Sequence, residues 1–442
     1  MATAIARKTH ERVCRCLCRA ISLEGMTRMS GAGNRSLTAL YVAAPFSMGY
    51  VDFYTFLMPL YALSLGFSAA EVGILVGARS IVAMFLAIHI GVLMDRFGTR
   101  KITLFFVGIS MILAPLFPLV PWFWSLLALQ LITGAAVSFA WSGAQTLVAQ
   151  LASGEAHYLG RFTFFARLGS TTAPILGGAM WDLGGTWLSY SVGVAWGGVL
   201  VVALLCTPEA EYFASPHQEG AIRARFRARD VWPRLSDYWA SLMLLAVPAI
   251  AVSLAIMSMR NSTYSIQTSV YVVHLKQVGL VGTTIGVLFA AAEMASGFGA
   301  LFAGRAMGLG NPQRTMLSGT ALSILLIALT PALAGILTLL LLFQVLRGWL
   351  EGVIQPLVLS VQARAAGRHR QGAVVGLRQT GQRFTSILVP PVMGAVADRF
   401  GVNASFLILG GFMLLLCVLV AVIIRRVGRR RSLDEPREGA TD

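Results

Sequence analysis

GVLMDRFGTRK, residues 91–101, breaks a long apolar run with one carboxylate and three basic residues inside seven positions. A near copy, GAVADRFG, returns at 394–401. Whether the copies mark one place or two decides how the chain is threaded. The surroundings set the terms: of 442 residues 56% are hydrophobic and 12% charged, about half the roughly 25% charge of a soluble chain. That is the composition of a membrane protein, whose first partner is the lipid bilayer. A net charge of +16 raises the question of nucleic acid. Basic residues serving that purpose cluster on a folded face with interleaved aromatics; here they sit in short segments between apolar runs, so no nucleic-acid partner is expected.

A span needs about 20 mostly apolar residues, and twelve stretches qualify. They lie near 37–62, 70–94, 102–121, 122–152, 159–181, 186–207, 237–272, 282–304, 313–333, 335–361, 372–396 and 403–425. Their length and their Gly and Ala content indicate helices, since a barrel shows shorter alternating segments. Arg96, Arg100 and Lys101 follow the second span, Arg314 the eighth, and Arg364, Arg368 and Arg370 the tenth. Connections after odd spans are almost uncharged. Basic residues mark the cytoplasmic side, which predicts cytoplasmic termini in a bacterial inner membrane. The expected organisation is a cytoplasmic tail (1–36), a six-helix bundle (37–207), a polar linker (208–236), a second bundle (237–425) and a tail (426–442). Cys14, Cys16, Cys18 and His10 crowd the first tail without the spacing of a structural zinc site, so neither a metal nor any other cofactor is expected. That tail also lacks the apolar core of a cleaved signal.

The two bundles look duplicated. Gly66, Gly73 and Gly91 recur 213 residues on as Gly279, Gly286 and Gly304. Gln150, Gly160 and Gly169 recur 212 on as Gln362, Gly372 and Gly381, and Gln130 and Gly134 recur 214 on as Gln344 and Gly348. Parallel six-helix repeats, each built of inverted three-helix units, describe a transporter. GVLMDRFGTRK then ends the second span on the cytoplasmic side, and GAVADRFG ends the eleventh on the other. The repeat partner of GAVADRFG is GAMWDLGG at 178–185, with Asp182 answering Asp398. The near copies therefore mark two different places.

With twelve spans, a central linker and this motif, residues 37–425 resemble the major facilitator superfamily. Gly91, Asp95, Arg96, Gly98, Arg100 and Lys101 match its signature between the second and third helices. The resemblance implies an all-α membrane fold of two pseudo-symmetric six-helix bundles, transport by alternating access, and a cytoplasmic gate in which Asp95 meets the start of the eleventh helix near Gln371 and Gly372. A carboxylate at a helix N-terminus gains about 0.3–1 kcal/mol, so the physics is sound; topology enforcement alone is the competing account of the basic residues. In the second half, GRAMGLGNPQR at 304–314 has Gly308 where the carboxylate belongs. Gly169, Pro174, Gly177 and Gly178 resemble the family's antiporter motif, with Ala173 replacing a glycine; a hinge and plain close packing explain them equally.

Ionisable residues inside spans are costly unless paired or wetted and so point to function. Asp52 and Arg79 lie at similar depth, about 15 Å from the outer surface, which allows a pair or leaves Asp52 as the proton carrier. Arg347 and Glu351, four apart on one helix face, suit an ion pair. Glu293 reaches similar depth. Arg378, Gln379, Gln382, Arg383 and Ser386 share one face, and RNSTYSIQTS at 260–269 opens with Arg260; both stripes must face a cavity or a neighbouring helix. Gln130 stands where many proton-linked relatives carry Arg, and His89 is a structural or a proton-handling residue. Arg383 is expected to hold an anion, or else to neutralise Glu293 or Glu351.

Arg79, Arg167, Arg260, Arg347, Arg378 and Arg383 outnumber Asp52, Glu293 and Glu351 by six to three. A positive cavity favours an anion, since Arg recognises carboxylate or phosphate bidentately. The reading is a monomeric secondary transporter of a small organic anion or amphipathic metabolite, coupled to protons. The alternatives are a drug or metabolite efflux antiporter with apolar selectivity, for which Trp141, Phe139, Phe162 and Phe165 speak, and a non-transporting sensor. No spacing suggests a nucleotide loop, metal cluster or activated nucleophile, so no enzyme is expected.

Overall fold

Backbone in lipid must satisfy its own polar groups, and every span is helical. The computed structural model describes residues 31–151, 156–207, 243–307, 311–333, 335–366 and 371–434. The linker 208–236, the cysteine cluster at 14–18, and Gly308 with its loop lie outside the described residues. The first half runs α1 (Gly31–Ser64), α2 (Ala69–Ala78), α3 (Ile81–Phe97), α4 (Thr99–Leu113), α5 (Leu116–Leu119), α6 (Phe123–Leu151) and α7 (Ala156–Leu205). The second runs α8 (Pro248–Gln267), α9 (Val270–Gln277), α10 (Gly282–Met307), α11 (Pro312–Ala328), α12 (Leu337–Ala366), α13 (Gln371–Phe400) and α14 (Val402–Asp434).

Seven stretches among the described residues are long and apolar enough to cross a membrane on composition alone. One of them, Arg161–Leu205, is 45 residues long and turns back at Gly184–Gly185, so α7 supplies the fifth and sixth spans. Gly185 takes φ 61° there, a conformation that L side chains resist. With α1, α8–α9, α11 and α13 the count reaches twelve; α8 and α13 are diluted by the polar stripes at 260–269 and 378–386.

The seventh span was expected from 237; residues 237–242 lie outside the described residues, a short helical turn covers Leu244–Ala246, and α8 itself begins at Pro248 after an extended Val247. The second span is interrupted at Arg79–Ser80, the C-cap of α2 and the N-cap of α3.

The halves meet along two seams, α2 against α13 and α7 against α10. Both seams converge on the face carrying the α1–α2, α9–α10 and α13–α14 turns and the Gly184–Gly185 bend. The core follows them: Phe53, Phe56, Leu57, Tyr271, Leu288 and Met393 belong to one buried cluster spanning both halves. Phe56 meets Phe289 across the halves with ring centroids 5.4 Å apart.

Candidate functional site

The seams are built from matching parts. In one, Gly286 lies against the Pro174 carbonyl and Gly178 against the Gly282 carbonyl, where any Cβ would collide with backbone. The Asp182 carboxylate accepts from the Gly282 N–H (2.8 Å), the Thr283 N–H (2.6 Å) and the Thr283 hydroxyl (2.6 Å). In the other, Gly73 lies against the Pro390 carbonyl and Gly394 against the Ala69 carbonyl. Asp398 accepts there from the N–H groups of Ala69 (2.9 Å) and Ala70 (3.0 Å). The first turns of α2 and α10 have N–H groups with no intrahelical acceptor, and each aspartate satisfies two of them from the opposite half. Asp182 sits in the connection between spans. Burial pushes its carboxyl up, but the Thr283 and Gly282 hydrogen bonds and the Lys276 charge together reverse this, so it titrates below its ordinary value.

Counting inward from these latches exposes a difference. Fifteen residues before Asp182 stands Arg167, and fifteen before Asp398 stands Arg383. Eleven residues after Gly282 comes Glu293, and eleven after Ala69 comes Ser80. In the α7/α10 seam the arginine and acid meet: Arg167 pairs with Glu293 and reaches the Gln355 amide oxygen at 3.5 Å. In the α2/α13 seam serine replaces the acid. Arg383 there donates to the Ser138 hydroxyl of α6 at 3.3 Å and has no carboxylate partner among the described residues. Arg79, beside Ser80, donates to the Thr55 hydroxyl and is near enough to Arg383 to repel it.

Of the two readings left open for Asp52 and Arg79, the hydrogen-bonded pair does not form. Equal depth leaves rotation about the helix axis open, and Arg79, at the broken end of α2, meets Thr55 instead. Asp52 Oδ1 lies 3.5 Å from the Tyr264 hydroxyl of the other half, and its buried Oδ2 has no hydrogen-bond partner. Neutralisation of Glu293 or Glu351 by Arg383 also fails, because both acids are taken. Arg347 and Glu351 form the intrahelical pair that their spacing predicts, at 2.5 Å, with Gln344 and Thr263 completing its hydrogen bonds. Gln130 shares with Arg79, Thr133 and Gly134 a cavity of about 20 Å³, room for one water.

Arg260 and Arg378 are half-buried, each with a buried Nε that has no partner. The α13 stripe is tied to α8 by Asn261, which donates to the Gln382 carbonyl (2.9 Å) and the Ser386 hydroxyl (3.0 Å). In the motif that opens the sequence, Gly98 makes the α3–α4 turn at φ 92° and Arg100 donates to the Thr207 carbonyl at 2.8 Å. The contents of Gly91, Asp95 and Arg96, the side chain of His89 and those of residues 371–376 lie outside the described side chains. Gly169 packs against the Pro45 carbonyl of α1, and Gly177 faces Phe53 and Phe56. Sequence reasoning missed Ser80, Ser138, Asn261, Tyr264, Gln355 and the Arg167–Glu293 bridge. The equal counts from Asp182 and Asp398 announce that Arg167 and Arg383 are equivalent, but not which acid either one meets.

Comparison with known proteins places this architecture. The sequence model of the Major Facilitator Superfamily matches residues 38–278 and 252–441. No curated protein sequence matches the chain. Among solved structures, the nucleoside transporter NupG is similar with a TM-score of 0.69 and 16% identity over 88% of this chain and 98% of that one. A bacterial homolog of the human lysosomal transporter Spinster, in an inward-facing and unoccupied conformation, is similar with a TM-score of 0.63 and 14% identity over 90% and 96%. At such identity these structures speak for the fold alone. The chain belongs to the major facilitator superfamily: it is a multi-pass membrane protein and a secondary transporter, not an enzyme.

Proposed function

We propose that this transporter carries a small organic anion by alternating access, with proton coupling, and that the anion sits at the α2/α13 seam between Arg79 and Arg383. One observation carries the reading. Where one seam spends its arginine on Glu293, the other leaves Arg383 with no ion-paired acid among the described residues and near enough to Arg79 to feel its charge. Two cations held together repel, and a carboxylate or phosphate between them would satisfy both guanidinium forks. Arg260 and Arg378 add positive field to the same pathway. Asp52, buried against Tyr264 with one oxygen unpartnered, is the group proposed to take the proton.

The latches hold the face of the short turns closed. From the positions of the basic connections, that face is external and both termini are cytoplasmic, with bundles at 37–207 and 237–425. In this reading the closed face is the outer one, and access is from the cytoplasm. Asp95 serves as the corresponding latch on the cytoplasmic side, and the Gly169–Pro174–Gly178 stretch as the bend of α7.

A second reading, efflux of apolar or amphipathic metabolites, draws on the stacked rings of Trp141 with Phe162 and of Tyr41 with Phe165, 5.8 and 5.7 Å apart. Proteoliposomes with an imposed pH gradient separate the two. Proton flux dependent on carboxylates or phosphate esters, and weakened by Arg383→Gln, supports the anion. Flux with neutral amphiphiles, equal in wild type and variant, would sink it.

A further inference from the structure

We propose that the groove between α11 and α14 is a binding site for an anionic phospholipid. The two helices touch at one end, where Gly410 lies against the Ala328 side chain. Towards the other end they part around a cavity of about 470 Å³. Leu317, Ala321, Leu414, Cys417, Val418 and Ile424 give it apolar walls, and Arg314 and Arg425 stand at its mouth. Both arginines are exposed, and neither has a carboxylate partner among the described residues. From Leu414 to Arg425 is about 16 Å of helix, half of a roughly 30 Å hydrocarbon layer. The groove therefore runs from mid-bilayer to the headgroup level of one leaflet, as an acyl chain does, and its charge lies where a lipid phosphate would be.

The first half treats the charge at the corresponding place differently. The counterparts of α11 and α14 there are α4 and the second arm of α7. Met111 lies against Gly197, the residue 213 before Gly410, so the helices touch at this end in both halves. Arg100 spends its charge on the Thr207 carbonyl, where the α7 helix ends. In the second half α14 runs on past Arg425 to Asp434, so its carbonyls at that level are used within the helix and Arg314 has no helix end to cap. A groove remains open, and two guanidinium groups remain to bind an outside anion. Basic pockets between spanning helices hold anionic headgroups in this way, and the exposed Ser318 hydroxyl lies between head and tail, within the same lining. A soluble anion would meet the arginines but leave the apolar walls unused.

The test uses the full chain, incubated with vesicles of equal phosphatidylglycerol and phosphatidylcholine, extracted, and weighed by native mass spectrometry. Retention of phosphatidylglycerol over phosphatidylcholine is expected. Arg314→Gln with Arg425→Gln should lower that retention on the order of thirty-fold. Val418→Trp, on a lipid-facing position that tolerates bulk, should lower it while both arginines remain. All variants should keep the wild-type melting temperature, since the three side chains are exposed. Unchanged retention in the arginine variant overturns the proposal. So does loss in the arginine variant without loss in Val418→Trp, which would mean surface attraction only. Displacement by millimolar inorganic phosphate would assign a soluble anion instead, and a dimer broken by Val418→Trp would assign the groove to a second copy.

Discussion

The α7/α10 and α2/α13 seams share a glycine against a proline carbonyl, a second glycine against a backbone carbonyl, and an aspartate on a helix start. They part company one layer deeper, where Glu293 faces Arg167 in one and Ser80 leaves Arg383 without an acid in the other. The common layer closes a face; the layer beneath it decides what each seam is for. An arginine paired to an acid is neutral to a passing solute, whereas an arginine with no ion-paired acid is not.

Making the seams alike should give the largest effect. Ser80→Glu supplies the missing acid and should cost anion affinity about ten- to a hundredfold, as should Arg383→Gln, with Arg383→Lys between because it keeps charge without the planar fork. Binding of neutral solutes should not change. Titration calorimetry on the purified protein reads this directly, and full anion affinity in Ser80→Glu would remove Arg383 from the site.

The glycines come next. Gly73→Val and Gly286→Val each push a side chain into a proline carbonyl, an overpacking of about 1–3 kcal/mol against the closed face. Hydrogen exchange should rise at the amides of Ala69 and Ala70 in the first variant and of Gly282 and Thr283 in the second. If only one variant responds, the seams do not share the closing.

Smaller still is the loss of the bridge. Glu293→Gln leaves Arg167 alone in a half-exposed site and should lower stability by about 1–2 kcal/mol, less than the 3–5 typical of a fully buried pair. The double variant with Arg167→Gln should recover most of it, and a melting curve that shows no recovery denies the coupling. Arg383→Gln, having no acid to abandon, should melt like wild type.

The latches are worth least. Asp182→Asn and Asp398→Asn should each cost about 0.3–1 kcal/mol of closure, with Asp182 the larger because it accepts a third hydrogen bond. Because the Asp182 pKa is depressed in the closed state, its contribution is complete above the ordinary carboxylate value and fades as pH falls through the lower one. Protection of the Gly282 and Thr283 amides should therefore be flat from pH 8 to 5 after correction for intrinsic exchange. A midpoint near neutrality would point to another group.

Much of the scaffold was legible because its signals are local or periodic. Apolar length gave the spans, a nearly constant offset gave the halves, and a four-residue spacing gave Arg347–Glu351. The Asp182–Asp398 equivalence was legible too, though not the helix starts that the two aspartates hold. What escaped depends on rotation and on partners from the other half. Depth allowed a pair of Asp52 with Arg79, but the guanidinium meets Thr55 instead. Arg167 and Glu293 lie 126 residues apart, and nothing along either helix announces the pairing. Proline also interrupts a span: an extended Val247 separates the turn at Leu244–Ala246 from the helix that begins at Pro248.

The near-constant offset between the halves has a further consequence for how such a molecule can be made. Two identical six-helix chains related by a twofold axis present the same residue in both seams, so an acid at the Glu293 position would appear twice and silence both arginines. Joining the copies into one polypeptide lifts that symmetry constraint. One seam can then keep its charge pair as fixed architecture while its twin gives up the acid, a division of labour that no homodimer of either half can encode.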